Sequence, residues 1–259
     1  MSFDVSQYNS VLDGLDKFFN KVDSAIKVDV PNAKDDALDL PYVRLIPEMQ
    51  RVIKACADKI IEICKWIWEK IKEIYHGVRA PYEMYLRSQD WSDVRDAASG
   101  VKQGLDPNNV QALRNWEGAA RTSYMQTCTS QSAAAGTFSD IAEKARSAMM
   151  DSAVGGLAFY AGILAICAEF LFGLARAIGE LLSGVGAGIS IADIAATSGI
   201  STAALWAALG AASTFIGMQA KAFSELDRAF PDGKWPDSQA SSFSDASVEG
   251  DNKSNWKIV

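Results

Sequence analysis

Histidine is almost missing from this 259-residue chain: His76 stands alone. A Ser-His-Asp or Cys-His arrangement would have to use it, and no two histidines exist to share a metal. Its place beside Gly77, at the end of a helical pattern, reads as a C-terminal cap. Neither G-x-S-x-G nor G-x-x-x-x-G-K-[ST] occurs, and carboxylates, though plentiful, form no pair that the sequence singles out for acid-base work. The glycine cluster 184–188 follows a helical pattern instead of a strand, the wrong context for a dinucleotide site, and reads as a helix break. The expectation is a non-enzymatic protein with no cofactor and no metal.

Other shortages narrow the class further. The four cysteines, Cys56, Cys64, Cys128 and Cys167, are far apart, form no C-x-x-C and fall on apolar positions of helical patterns. They read as small hydrophobes, not as a disulfide framework. Basic residues are outnumbered, 25 against 32 acidic, giving a net charge of −7, so a phosphate backbone is not an expected partner. The opening Met1-Ser-Phe-Asp-Val-Ser6 has neither a basic n-region nor an apolar h-region, and no Sec-type signal peptide is expected. Strand-length runs alternating with period two are also missing, as are repeats of 20–50 residues.

What is present is helical periodicity. The seven prolines, Pro31, Pro41, Pro47, Pro81, Pro107, Pro231 and Pro236, read as punctuation between periodic segments. Residues 4–27 place Val5, Tyr8, Leu12, Leu15, Phe19, Val22 and Ile26 on one stripe, and the acidic stretch 28–47 reads as a connection. From Glu48 the residues Met49, Ile53, Cys56, Ile60, Ile63, Ile67, Ile71 and Ile74 follow a near-heptad seam of coiled-coil type. Lys54, Lys59, Glu62, Lys65, Glu69, Lys70, Lys72 and Glu73 occupy the rest of that helix as a solvated face, with partner docking as the alternative. Trp66 and Trp68 widen the apolar stripe toward a further neighbour.

A second pattern surrounds Trp116-Glu117-Gly118. Before it, Trp91, Val94, Ala98, Val101, Leu105, Val110 and Leu113 recur at helical spacing; after it, Tyr124, Cys128, Ala135, Phe138, Ile141, Ala142, Ala145 and Met149 do the same. Asp106-Pro107 reads as an N-cap with proline at the first helical position, which interrupts the first arm before a short helix over 107–115. Glycine two residues after the tryptophan permits the tight turn between antiparallel helices.

This helix, Trp-x-Gly turn and helix resemble the WXG100 superfamily of type VII (ESX) secretion proteins of actinobacteria, over residues 90–150. The resemblance implies export without a Sec signal, pairing with a helical WXG100-like or PE-like partner or with itself, and recognition by the secretion ATPase. Trp116, Glu117 and Gly118 would carry that recognition. The family's companion signal, Tyr-x-x-x-Asp/Glu, is missing: Asp13 after Tyr8 and Asp90 after Tyr85 each lie one residue too far. A partner would then supply the signal, or the chain is not exported. The helices before residue 90 also loosely resemble the PE/PPE-type architecture of some ESX substrates.

Two apolar runs follow. Ser152 to Ala168 holds 17 residues without a charge and Ile194 to Ala220 holds 27, lengths that approach or exceed a bilayer span. Glu169, Arg176 and Glu180 follow closely on the first run and Asp193 immediately precedes the second, which is rich in Ala, Gly, Ser and Thr. A conditionally membrane-active hairpin, a permanent anchor and a soluble core or oligomer interface all remain open. For the first, Glu169, Arg176 and Glu180 form the expected switch.

The sequence therefore predicts an all-α, elongated helical bundle. N-terminal amphipathic helices span 1–89, a WXG100-like hairpin 90–151, a Gly/Ala-rich apolar helical hairpin 152–230 and a flexible tail 231–259. The expected function is that of a type VII secretion substrate or structural component acting through helix-helix assembly, with membrane contact as an added feature. A pore-forming or membrane-inserting effector and a cytosolic adaptor for a secreted toxin are the alternatives. The expected location is secreted or associated with the cell envelope, with cytoplasmic as the alternative.

Overall fold

The computed structural model describes residues 2–115 and 117–183, and beyond them 203–204, 206–211, 213–214, 217, 220–221, 224, 248–249 and 253–254. These form an all-α helical bundle apart from one two-residue ladder, in which β1 (Val248–Glu249) pairs antiparallel with β2 (Lys253–Ser254). The cluster 184–188, most of the run 194–220 and nearly all of the tail 231–259 lie outside the described residues, and so does Trp116. The described positions within 203–224 are helical.

The chain divides into two compact units: Met1–Glu83 with Ser152–Gly217, and Met84–Asp151 with Met218–Val259. The first unit opens with α1 (Val5–Ser24), whose N-terminus is capped by Asp4, its carboxylate accepting from the Ser6 and Gln7 amides at 2.8 and 3.1 Å. Tyr8, Val11, Leu15, Phe18 and Val22 are buried, so the inward stripe is rotated from the expected one. Val5 is exposed, and Leu12, Phe19 and Ile26 are half-buried.

Helix continues where a connection was expected. A π-turn at Ala25–Asp29 leads directly into α2 (Val30–Asp39), and α3 (Pro41–Arg44) follows. Pro31 therefore lies within a helical run, not between two. Proline removes one amide and its ring crowds the carbonyl of the preceding turn, and the widened π-turn before it, closed by the Val30 amide on the Ala25 carbonyl, eases that crowding. Pro47 instead starts α4 (Pro47–Tyr75), where its missing amide costs nothing.

On α4 the predicted seam is the buried face. Ile53, Cys56, Ala57, Ile60, Cys64, Ile67 and Ile71 are at most 2% exposed, while Met49, Ile63 and Ile74 sit half-buried at its margin. The charged face is solvated, with Lys59 paired to Glu62 and Lys70 to Glu73. His76 is the C-cap residue of the helix, and the amide of the following Gly77 bonds the Ile74 carbonyl at 3.1 Å. Phe19 meets Trp68 and Tyr75 edge-on at 5.8 and 5.4 Å, and Lys72 lies 4.7 Å from the Trp68 ring.

α5 (Ala80–Gly104) begins ten residues before the hairpin boundary expected at 90. α6 (Ala119–Leu182) is 64 residues long and passes the expected boundary at 152 without a break. In the first unit, the part of α6 from Ser152 onward packs on α1 and α4 through close approaches. Phe18 and Phe170 rings lie 6.3 Å apart, Tyr160 donates to the Ile74 carbonyl at 3.1 Å, and Tyr42 donates to the Ser183 carbonyl at 2.6 Å. Gly156 lies so near Pro81 that an added Cβ would sit 2.6 Å from Pro81 Cγ. Leu157, Ile163, Cys167, Leu174, Ala177 and Leu181 are buried. Burial pushes the Cys64 and Cys167 thiols up to about 12, so they behave as protonated apolar side chains.

Candidate functional site

The second unit contains the hairpin around residues 116–118. Its first arm is α5 from Met84 onward, ending where the Leu105 amide bonds the Val101 carbonyl. Asp106 then caps the turn as expected, accepting from the Asn108 amide at 2.9 Å through Oδ1 and from Asn109 and Val110 amides through its carbonyl. The expected helix 107–115 is shorter and tighter: turns over 107–109 and a 3-10 helix at Gln111–Asn115. Pro107 starts a turn closed on the Asp106 carbonyl by both an i+3 and an i+4 bond, and the tighter 3-10 helix follows it.

Glu117 and Gly118 are exposed immediately before α6. Gly118 has φ +96°, in the region that a Cβ disfavours, and nothing lies within 4 Å of where that Cβ would stand. Backbone conformation, not crowding, is what requires glycine here. The turn is fastened from both sides: the Gly118 carbonyl accepts from the Thr122 amide at 3.3 Å, and Arg121 Nε donates to the Leu113 carbonyl at 3.1 Å. Leu113 is buried beneath it.

The arms are held in register by polar contacts that the sequence did not suggest. Arg95 Nη1 donates to Glu143 Oε2 at 2.9 Å, and Arg146 grips both oxygens of the same carboxylate at 2.6 and 2.9 Å. The hydrogen bonds from Arg146 and Arg95 hold the Glu143 carboxyl down at about 2, well below its ordinary value. Ser139 donates to the Arg95 carbonyl and Ser132 to the Lys102 carbonyl, at 3.3 and 2.9 Å. Glu143 and Arg146 stand at i, i+3, a local spacing that could have signalled the pair, whereas nothing local marks Arg95, 48 residues away. Between the arms Ala98, Thr127, Cys128, Ala135, Ile141, Ala142 and Ala145 are buried, whereas Val101 and Phe138, expected on the inner faces, are exposed.

The expected membrane switch lies in the first unit. Arg176 and Glu180 pair at 3.0 Å, i to i+4. Glu169, the first member of the expected switch, is exposed. Among the described residues α6 is the one helix long and apolar enough to cross a membrane by length and composition, and one third of its most apolar stretch is buried in the protein. Oε2 of Glu180 is buried and has no hydrogen-bond partner among the described residues.

The geometry thus offers an exposed, glycine-dependent turn on a clamped helical hairpin. No family model, curated protein or solved structure matches this chain.

Proposed function

We propose that this protein is a non-enzymatic substrate or structural component of a type VII-like secretion system, working through helix-helix assembly, with residues 116–118 as its recognition element. The observation that carries this reading is the exposed Glu117-Gly118 turn, with Gly118 at positive φ, at the mouth of a helical hairpin fixed by Arg95, Glu143 and Arg146. Arms clamped to each other beside an exposed Glu117-Gly118 segment suit recognition by a receptor surface, because little ordering of the arms is left to pay on binding. The partners proposed are a secretion ATPase and a helical WXG100-like or PE-like protein that supplies the missing tyrosine signal. The reading rests on the second unit and needs no membrane contact.

The test is export from the native host. Trp116→Ala and Gly118→Ala should each stop secretion while the cellular protein stays helical by circular dichroism. Normal export of both variants would remove the proposal.

A further inference from the structure

α6 presents a second, quite different surface in the first unit. Ala158, Gly162, Ala165, Glu169, Phe172, Arg176 and Gly179 are all exposed, and they follow one another at spacings of 4, 3, 4, 3, 4 and 3. That is the seam of a coiled-coil helix, here turned away from the core on which Ile163, Cys167, Phe170, Leu174 and Ala177 pack. Phe172, in the C-terminal half of the seam between Glu169 and Arg176, is 77% exposed, more than any other phenylalanine on this helix, and Leu182 is exposed on its flank. Both charges on the seam, Glu169 and Arg176, are opposite in sign and two turns apart.

We propose that this face binds a second copy of the chain, antiparallel, about a two-fold axis near Phe172. The charges select both occupant and direction. With the axis there, Glu169 of each copy comes within a helical turn of Arg176 of the other, whereas a parallel pairing sets glutamate against glutamate and arginine against arginine. Arg176 keeps its contacts within the chain, the Nε bond to Glu180 among them, and a guanidinium with five donors can serve more than one carboxylate. The small residues at 162, 165 and 179 let the two backbones approach closely enough for Phe172 to be covered. The other occupants are less complementary. The run 194–220 of the same chain has no charged residue to meet either group, and a bilayer would have to accept both charges on the buried side. This surface is independent of the export reading, since it uses none of residues 84–151.

The experiment uses the full chain at concentrations on the order of 100 µM, suited to a single-helix interface of modest size. Light scattering should give a dimer. Glu169→Arg and Arg176→Glu should each weaken dimerisation at least tenfold, and the double variant should restore it. A local effect of Arg176→Glu beside Glu180 would not be rescued by the change at 169. Phe172→Cys should cross-link between copies under mild oxidation and Ala158→Cys should not; the native cysteines are buried, and both sites are exposed, so neither variant threatens folding. A monomer at every concentration, a double variant that stays monomeric, or cross-linking through Ala158→Cys as readily as through Phe172→Cys would overturn the proposal. So would a monomer that binds phosphatidylcholine/phosphatidylglycerol vesicles with Phe172 protected, which would assign the face to lipid.

Discussion

Arg95 and Glu143, 48 residues apart, meet at 2.9 Å and tie the two arms of the hairpin together. With Arg146 on the other side, one carboxylate is shared by two guanidinium groups, and this fixes which turn of α5 faces which turn of α6. An apolar contact between alanines would not do so, since small residues slide past one another with little loss.

The clamp makes hairpin stability depend on acid. The Glu143 carboxyl is held at about 2 in the folded protein against 4.5 as its ordinary value, so the folded state binds its proton less readily than the unfolded chain. The stabilisation is complete above about pH 4.5 and is lost as pH falls through about 2. Because the side chain is 40% exposed, Glu143→Gln should cost only about 0.5–1 kcal/mol near neutral pH. Melting temperatures between pH 2 and 7 should fall less steeply in the variant than in the wild type; parallel curves would show that Glu143 is not the group responsible.

Burial on α4 separates two isoleucines that the sequence treats alike. Ile60 is 1% exposed and Ile63 half-buried. Ile60→Ala should destabilise by about 2–4 kcal/mol in urea denaturation, and Ile63→Ala by clearly less. Equal losses would mean that the margin of the seam is as well packed as its centre.

Two glycines should respond in opposite directions to alanine. At Gly156 the new methyl would meet the rigid Pro81 ring, and overpacking of this kind costs about 1–3 kcal/mol. At Gly100 in α5 nothing lies within 4 Å, so alanine should raise stability by about 0.5–1 kcal/mol through helix propensity. Thermal unfolding of the two variants reads the contrast directly, and a stable Gly156→Ala protein would show that Pro81 moves aside easily.

Helical class and the α4 seam were legible because isoleucine at spacings of three and four leaves little choice of buried face. The cap at Asp106 and the glycine-dependent turn at 118 were legible for a similar reason, since each depends on local chemistry. Pro31 misled because a proline read alone looks like a stop, and what accommodates it is a π-turn without a residue signature. The continuity of α6 was hidden by Gly155, Gly156 and Gly162, which in sequence resemble a break; Gly156 in fact answers to the proximity of Pro81. The partnership of Arg95 with Glu143 depends on the register between helices, and no spacing within one helix encodes that.

The π-turn also resolves an irregularity of counting. The buried residues from α1 into α2 run Tyr8, Val11, Leu15, Phe18, Val22, Ala25, Val30, Ala33 and Ala37, spaced 3, 4, 3, 4, 3, 5, 3 and 4. In an unbroken α-helix the step of five would swing everything after Ala25 about 140° around the axis, carrying Val30, Ala33 and Ala37 off the side that touches α4. The wider turn takes up the surplus residue, so a sequence that is out of phase with itself still lays down one continuous ridge. Deleting one residue from the exposed stretch 27–29 would leave the ridge in phase as plain α-helix but return the Pro31 ring to the carbonyl before it, and the two requirements are met together only at the present length.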